Sequence, residues 1–361
     1  MKEIKIEENV NLAPYTTMEI GGRARFFVRA GCEDDVIAGV RFAADERLPL
    51  FVLGGGSNVV IADQGFDGLV LQIALKGIDD FKFQISNFKF DDDPEPESVT
   101  TRSKLITAAG GEDWDGFVAH CVKNKLAGVE CLSGIPGLVG GTPIQNVGAY
   151  GQDVSETIVS VRALDRRTDE IRALSNAECG FTYRSSIFNS TERERYIVLA
   201  VTYALKQNGE AKIEYNDLVE HFAGRVPTLA ETRDAVLDIR RATSMVIDAA
   251  DPNSKSVGSF FKNPIVSDAQ FLAIAERFGE IPGFPFGDFH KKIPAAWLIE
   301  HAGFHKGYTL GQAGISANHT LAIVNHGGTA ADILALKDVI TSKVAEVFDV
   351  DLVPEPVFVG F

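Results

Sequence analysis

Three residues far apart in the chain have side chains suited to moving protons and holding negative charge. Ser259 stands in "SVGSFFKNP", behind a glycine and ahead of two phenylalanines. Arg184 stands in "FTYRSSIF", next to Tyr183 and between apolar residues, and Glu355 stands in "VPEPVFVG", between two prolines. A hydroxyl screened by aromatic rings can deliver a proton to carbon where carbanion charge develops beside it. The alternative is a strand-end serine satisfied by backbone. "SFFK" also matches the S-x-x-K pattern of acyl enzymes, which requires serine and lysine one helical turn apart. Asn263-Pro264 follows at once, and the residue before a proline resists helix. The companion motifs S-D-N and K-T-G are absent, since Ser267-Asp268 leads into Ala269. A guanidinium among apolar residues needs an anionic partner, either an internal carboxylate or a substrate. Pro354 and Pro356 donate no N–H, so the chain at Glu355 cannot pair fully within a sheet. Its carboxylate is either an exposed edge charge or a functional group.

Two glycine-rich segments suggest a phosphate cradle. "VLGGGSNVV" carries Gly54, Gly55, Gly56, Ser57 and Asn58 between two apolar stretches. Glycines allow successive N–H groups to turn toward one concavity and bind phosphate oxygens, although a plain hairpin turn would use them too. The segment is not a dinucleotide fingerprint opening a helix, because Val59 occupies the place of the third glycine. "GIPGLVGGTPIQNVGAYG" packs Gly134, Gly137, Gly140, Gly141, Gly148 and Gly151 into one loop with Pro136 and Pro143. So much glycine costs folding entropy and points to a backbone that faces a ligand closely. Gln145, Asn146 and Tyr150 add neutral donors and a ring. Two such loops with few charges suit a dinucleotide such as FAD.

These groups need elements to position them. The 50–75 segment reads as strand, glycine turn, strand, preceded by an acidic helical stretch at 35–46. "FKFQISNFKF" alternates and turns as a hairpin, and residues 91–98 form a charged loop. A helix beginning near Glu112 carries Trp114, Phe117, Val118 and Cys121 on one side. Several strands follow between 157 and 205, then a helix over 231–241 and a boundary in "DAADPNSKS". Thr329 reads as the N-cap of a long helix with Ile333, Leu336, Val339, Ile340, Val344 and Val347 on its apolar face. The sequence "VDLVPEPVFVGF" closes the chain as a strand. Helices mixed with many strands predict an α+β architecture.

The 361 residues suit two or three domains, and the net charge of −15 argues against nucleic-acid and anionic-membrane partners. No apolar run approaches a membrane-spanning length and the N-terminus has no signal core. Cys32, Cys121, Cys131 and Cys179 lack metal-ligand spacing and read as reduced thiols of a cytoplasmic protein. His301 and His305 have helical spacing but Gly303 lies between them and the H-E-x-x-H order is missing, so no metal is expected.

The segments "TTMEIGGRARFFV", "LGGGSNVVIAD", "GIPGLVGGTPIQNVGAYGQDV", "YRSSIF", "VGSFFKNP" and "AAWLIEHAGFHKGY", with the closing L-x-P-E-x-x-x-x-G, occur in this order over nearly the whole chain. Together they resemble the UDP-N-acetylenolpyruvoylglucosamine reductase family, in the form that has a tyrosine-bearing substrate loop, here "EYNDL" with Tyr215. The resemblance implies a two-part FAD-binding region of the vanillyl-alcohol-oxidase/PCMH type plus a separate α+β substrate domain. The parts would be residues 1–77 with 351–361, residues 78–241, and residues 248–350. Non-covalent FAD would be held by Gly54 through Asn58 and by Gly134, Ile135, Pro136, Gly137, Gly140, Gly141, Gln145, Asn146, Gly148, Ala149 and Tyr150. NADPH would reduce the flavin. Hydride from flavin N5 would then reach the methylene carbon of enolpyruvyl-UDP-N-acetylglucosamine, giving UDP-N-acetylmuramate for peptidoglycan. Ser259 would supply the proton, and Arg184 and Glu355 would stabilise the enolic charge. Tyr183, Tyr215, Lys262, Asn263 and His319 would contact the substrate. A monomer acting on this small molecule is expected. Thr243 stands where relatives carry a lysine, so the resemblance implies that this basic contact is either missing or supplied elsewhere, with Lys255 as one candidate. An alternative flavin oxidase would often carry a tethering histidine in the glycine loops, and neither loop has one.

Overall fold

The structure, a computed structural model, describes residues 4–79 and 103–361. The hairpin expected at 81–90 and the charged loop at 91–98 lie outside the described residues. The chain divides into two compact units. The first comprises Met1–Val10, Ala24–Gly55 and Asp67–Arg241, and the second comprises Asn11–Arg23, Gly56–Phe66 and Ala242–Phe361.

The first unit is built on two sheets. In one, strands Glu7–Asn11, Arg23–Ala30, Phe66–Ile73 and Leu50–Leu53 lie side by side in that order, the last two parallel. Helix α1 (Glu33–Asp45) buries Val36, Val40 and Ala43 against Val28, Leu69 and Leu71 of this sheet. The second sheet is antiparallel and centres on the long strand Tyr196–Gln207, flanked by Ile158–Asp165 and Ser103–Ala109. Helix α2 (Trp114–Lys123) starts at Asp113, whose side chain accepts from Gly116 N at 2.7 Å. Trp114, Phe117, Val118 and Cys121 are all buried against this sheet, as the helical spacing predicts. Helices α3 (Asn176–Cys179), α4 (Asn216–Phe222) and α5 (Leu229–Ala242) complete the unit.

The second unit holds a four-stranded sheet in the order Ser256–Ser259, Ala322–Asn325, Ala313–Ile315, Thr309–Leu310. A smaller sheet joins Ile265–Ser267, His290–Lys292 and Phe284–Pro285. Helices α6 (Asp268–Phe278), α7 (Ala295–His301) and α8 (Ala330–Phe348) share one core with the larger sheet. Thr329 does cap α8, in a reciprocal box with Asp332. Ile333, Leu336, Ile340 and Val344 are buried at the expected spacing. Val339 is the exception, 42 % exposed. It follows Leu336 by three residues and precedes Ile340 by one, which rotates it off the buried stripe. The C-terminal strand is short, Val357–Val359, and pairs in parallel with Val59–Ile61. The closing glycine is required there, because Gly360 has φ +80° and a Cβ on it would stand 2.0 Å from Gly65 O.

Asp63 ties the Val59–Ile61 segment to α8. Its two carboxylate oxygens accept from Ala330 N at 2.7 Å and Ala331 N at 3.0 Å, satisfying two of the donors that a helix start leaves without an intrahelical partner. Asp63→Ala should lower the stability of the protein by about 1 kcal/mol, read as a lower denaturant midpoint. An unchanged midpoint would mean that the Thr329 cap alone secures the helix.

Candidate active site

In the second unit the opening motif "SVGSFFKNP" runs off the end of a strand. Gly258 has φ +74°, and the pairing register with Ala322–Asn325 shifts between Ser256 and Ser259. This is a bulge, which re-aims the next side chain. The glycine before Ser259 supplies the left-handed backbone the bulge needs. Phe260 and Phe261 then drive into the core, both essentially inaccessible, with their rings 5.3 Å apart. Ser259 is left half-buried at the mouth of that apolar anchor. The strand geometry gives no helical turn between Ser259 and Lys262, so the acyl-enzyme pattern has no structural counterpart.

The backbone of Phe260 joins two other predicted residues to the serine. Its N–H donates to Leu321 O at 2.8 Å, and its carbonyl accepts from Glu355 N at 2.9 Å. Pro354 and Pro356 cannot donate, so the N–H of Glu355 is the one backbone donor in this tripeptide, and it goes to Phe260. Lys262 N continues the pairing to Val353 O at 2.9 Å. Asn58 meets the same segment: its Nδ2 donates to Glu355 O at 3.4 Å, and its carbonyl accepts from Val357 N at 3.0 Å. Glu355 is thereby half-buried and fixed from both sides.

His319 sits in the turn that leads to Leu321. Its Nδ1 lies 3.2 Å from Leu321 N. A backbone N–H can only donate, so Nδ1 is the acceptor and Nε2 carries the proton in the neutral ring. The turn is braced by Asn253 Oδ1, which accepts from Ala317 N at 2.9 Å, and by Asn318 Nδ2, which donates to Ser244 Oγ at 2.8 Å. Asn263 has a structural duty: its Oδ1 accepts from Ala295 N at 2.9 Å, at the start of α7. Lys255 is ion-paired to Glu19 at 2.6 Å. In the first glycine segment, Gly56 has φ +67° and a Cβ on it would fall 1.8 Å from Tyr15 O, so this position admits only glycine.

In the first unit the two glycine segments meet. A Cβ on Gly55 would stand 2.9 Å from Gly137 Cα, while Gly54 and Gly141 face open space within 4 Å. Bare backbone thus lines a cradle that side chains would fill. Such a surface fits a flavin dinucleotide approached by N–H groups rather than by charged side chains. The loop is pinned at Gly134, whose N–H donates to Asp115 Oδ1 at 2.5 Å, and at Gly137, whose carbonyl accepts from Trp114 N at 3.1 Å. Asn146 is an internal brace. Its Oδ1 accepts from Ser155 N and its Nδ2 donates to Thr182 O, both at 3.1 Å. Ile135 packs on the core, Ala149 pairs with Gln152, and Pro136 and Gln145 are half-buried in the same loop.

Arg184 has φ +54° and donates to Gly148 O at 2.5 Å, with its guanidinium 5.3 Å from the centre of the Tyr183 ring. Tyr150 meets Tyr215 edge-on at 5.3 Å. Burial pushes the Tyr150 phenol up, keeping it a neutral donor, against a weaker opposing pull from Arg240. Arg240, almost fully buried, hydrogen-bonds that phenol and lies against Gly134. Asp115 grips Arg233 through two bonds, at 2.6 and 2.7 Å. The Asp115–Arg233 clamp beneath the loop is invisible to sequence reasoning, because the partners are 118 residues apart and neither lies in a recognisable motif. Among the described residues no group of three His, Cys, Asp or Glu could hold a metal ion, and no helix is long and apolar enough to cross a membrane.

Residues 24–175 match the family model for an FAD binding domain, and residues 251–359 match that for the UDP-N-acetylenolpyruvoylglucosamine reductase C-terminal domain. Fold and glycine cradle together define an FAD-dependent oxidoreductase with a two-part flavin region of the vanillyl-alcohol-oxidase type and an added α+β domain. The chain is 47 % identical to the UDP-N-acetylenolpyruvoylglucosamine reductase of Thermobifida fusca, over 98 % of this chain and 97 % of that one. It is also 47 % identical to the reductase of that name from Streptomyces coelicolor, over 97 % and 89 % of the two chains. The crystal structure of UDP-N-acetylenolpyruvylglucosamine reductase from Thermus caldophilus shares the fold, with a TM-score of 0.64 at 22 % identity over 99 % of this chain and all of that one. The chain belongs to the UDP-N-acetylenolpyruvoylglucosamine reductase family.

The Asp115 clamp has a pH signature. Burial pushes its carboxyl up, but the Arg233 guanidinium and the Gly134 N–H outweigh that, and the net direction is below the ordinary value. A depressed carboxyl stabilises the fold above its unfolded pKa, and that stability is lost as pH falls through the folded one. Asp115→Asn should therefore cost about 1–2 kcal/mol near neutral pH, allowing for partial exposure. The difference from the parent should shrink below about pH 4. Thermal melts across pH measure both, and a gap independent of pH would contradict the assignment.

Proposed function

We propose that this protein reduces the enolpyruvyl ether of UDP-N-acetylglucosamine to UDP-N-acetylmuramate, with NADPH as the hydride source. The observation that carries the reading is the backbone of Phe260, hydrogen-bonded on one side to the His319 turn and on the other to Glu355, with Ser259 immediately before it. FAD, which the backbone from Gly54 to Asn58 and the 134–151 loop would hold, would supply the hydride chemistry that links NADPH to the methylene carbon of the vinyl ether.

The residues of the chain then have distinct tasks. Hydride addition leaves negative charge on the carbon that bears the carboxylate, and the charge spreads into that group. Ser259 Oγ gives this carbon its proton and regains one from solvent, which completes the saturation of the double bond. Arg184 offsets the charge as a cation, and Glu355, in its protonated form, donates a hydrogen bond. The bond to Gly148 O supports a preset guanidinium, so little ordering remains to be done during the reaction. His319 presents Nε2–H as a neutral donor, which suits a diphosphate oxygen, and Lys262 adds a cation. Tyr183 and Tyr215 cover the nucleotide. The asparagine at 263 acts on substrate through its position beside Lys262, since its carbonyl oxygen serves α7.

The flavin contacts are assigned to the backbone from Gly54 to Asn58 and to the 134–151 loop. The three-part division is proposed as the functional one, supported by the pairing of the C-terminal strand with Val59–Ile61. We place this activity in the cytoplasm, in a monomer with no nucleic-acid or membrane partner, on the strength of the acidic charge and the reduced cysteines.

Ser259→Ala tests the proposal. Reduction of the flavin by NADPH should proceed at the parent rate, while anaerobic reoxidation by the enolpyruvyl ether should slow by about a hundredfold or more. Two unchanged half-reactions would remove Ser259 from the proton path.

A further inference from the structure

Glu130 is a fully buried carboxylate that none of the roles above uses. It lies four residues before the flavin loop begins. A carboxylate out of water must have its oxygens satisfied by donors, and the donors around this one are uncharged N–H groups. Oε2 accepts from Gly128 N at 2.7 Å. Oε1 accepts from Gln152 Nε2 at 2.9 Å and from the backbone N–H of Lys212 at 3.0 Å.

The neighbouring residue repeats the pattern. Cys131 N donates to Gln152 Oε1 at 2.8 Å, and Cys131 Sγ donates to Lys212 O at 3.2 Å. Burial pushes the Cys131 thiol up, so the sulfur keeps its proton and remains a donor. The Glu130–Cys131 pair therefore holds both ends of the Gln152 amide and both backbone polar groups of Lys212. Gln152 stands just past the last glycine of the loop, and Ser133, just before the first, is tied back by Oγ to Glu130 O at 2.6 Å. Lys212 begins the short stretch that reaches Tyr215, and Ile213 within it packs in one cluster with Cys131 and Tyr150.

We propose that Glu130 is a positioning residue: through Gln152 and Lys212 its buried carboxylate fastens the flavin loop and the Tyr215 segment to a single point, so that order in one imposes order on the other. The inference rests on the assignment of Tyr215 to the substrate. A carboxylate can accept at both oxygens, whereas an amide in its place has one acceptor and must turn a donor toward one of these N–H groups.

Two variants divide the clamp. In Glu130→Gln combined with Gln152→Glu, the bond between the two side chains can re-form in reverse, and the carboxylate now at position 152 can still accept from Cys131 N. The amide oxygen at position 130 can serve Gly128, which leaves the Lys212 N–H without its acceptor. Gln152→Leu does the opposite, freeing the loop end and keeping the bond to Lys212. The double variant should retain flavin with the parent affinity. It should exchange the backbone hydrogens of 212–215 at least about tenfold faster and raise KM for the UDP-sugar by about tenfold, with flavin reduction by NADPH unchanged. Gln152→Leu should weaken flavin affinity by about tenfold, measured by fluorescence titration of the flavin-stripped protein. Parent-like exchange at 212–215 in the double variant, or parent-like flavin affinity in Gln152→Leu, would overturn the proposal, even with a lowered melting temperature. Flavin affinity and hydrogen exchange need no substrate. Failure of the enolpyruvyl ether to react with the parent would therefore count against the proposed function and leave these two tests standing.

Discussion

The two backbone hydrogen bonds of Phe260 hold together the residues to which the proposed chemistry of the second unit is assigned. One joins it to Leu321 and the other to Glu355, residues about 60 and 95 positions further along the chain. Three remote segments become neighbours through one residue whose side chain is wholly buried. The anchoring is hydrophobic and the direction is polar: the paired phenylalanines fix the depth of the segment, and the backbone donors and acceptors fix its register. The prolines around Glu355 sharpen this by leaving a single donor that can enter the pairing, so the carboxyl has little freedom to slide.

A different arrangement governs the first unit. Its glycine loop has little side-chain mass of its own with which to stay in place, and the surrounding polar residues take over that task. Asp115 holds the loop where it begins, Asn146 braces the middle, and the Glu130–Gln152 pair closes the end. The loop is thus secured from its flanks, and Gly141 keeps an open face. Such preorganisation reduces the ordering cost of binding.

Much of this was legible in the sequence. The two prolines around Glu355 carry a local conformational meaning that the structure uses, whereas the phenylalanines, expected to screen Ser259, are buried as an anchor behind it, and the left-handed backbone of Gly258 emerged only in the structure. Helices α2 and α8 followed from apolar spacing and a Thr cap, with Val339 misplaced because a face read at three-to-four spacing blurs at its edge. The polar scaffolding was harder to see. Asn146 reads as an obvious ligand donor, yet both ends of its side chain bond to backbone around the loop. Asn263 likewise serves a distant helix start. The clamps of Asp115 with Arg233 and of Glu130 with Lys212 join residues 118 and 82 apart, and no periodicity signals a contact of that kind.

The central claim is that the bulge at Gly258 aims Ser259 at the carbon that must be protonated, in register with Glu355. A crystal structure of the FAD-loaded protein with the enolpyruvyl ether bound tests it most directly. The account predicts that Ser259 Oγ lies within about 3.5 Å of the vinyl carbon that carries the carboxylate, with the Glu355 carboxyl hydrogen-bonded to the same enolpyruvyl group. An enolpyruvyl group seated elsewhere, with Ser259 Oγ turned into its own backbone, would contradict it.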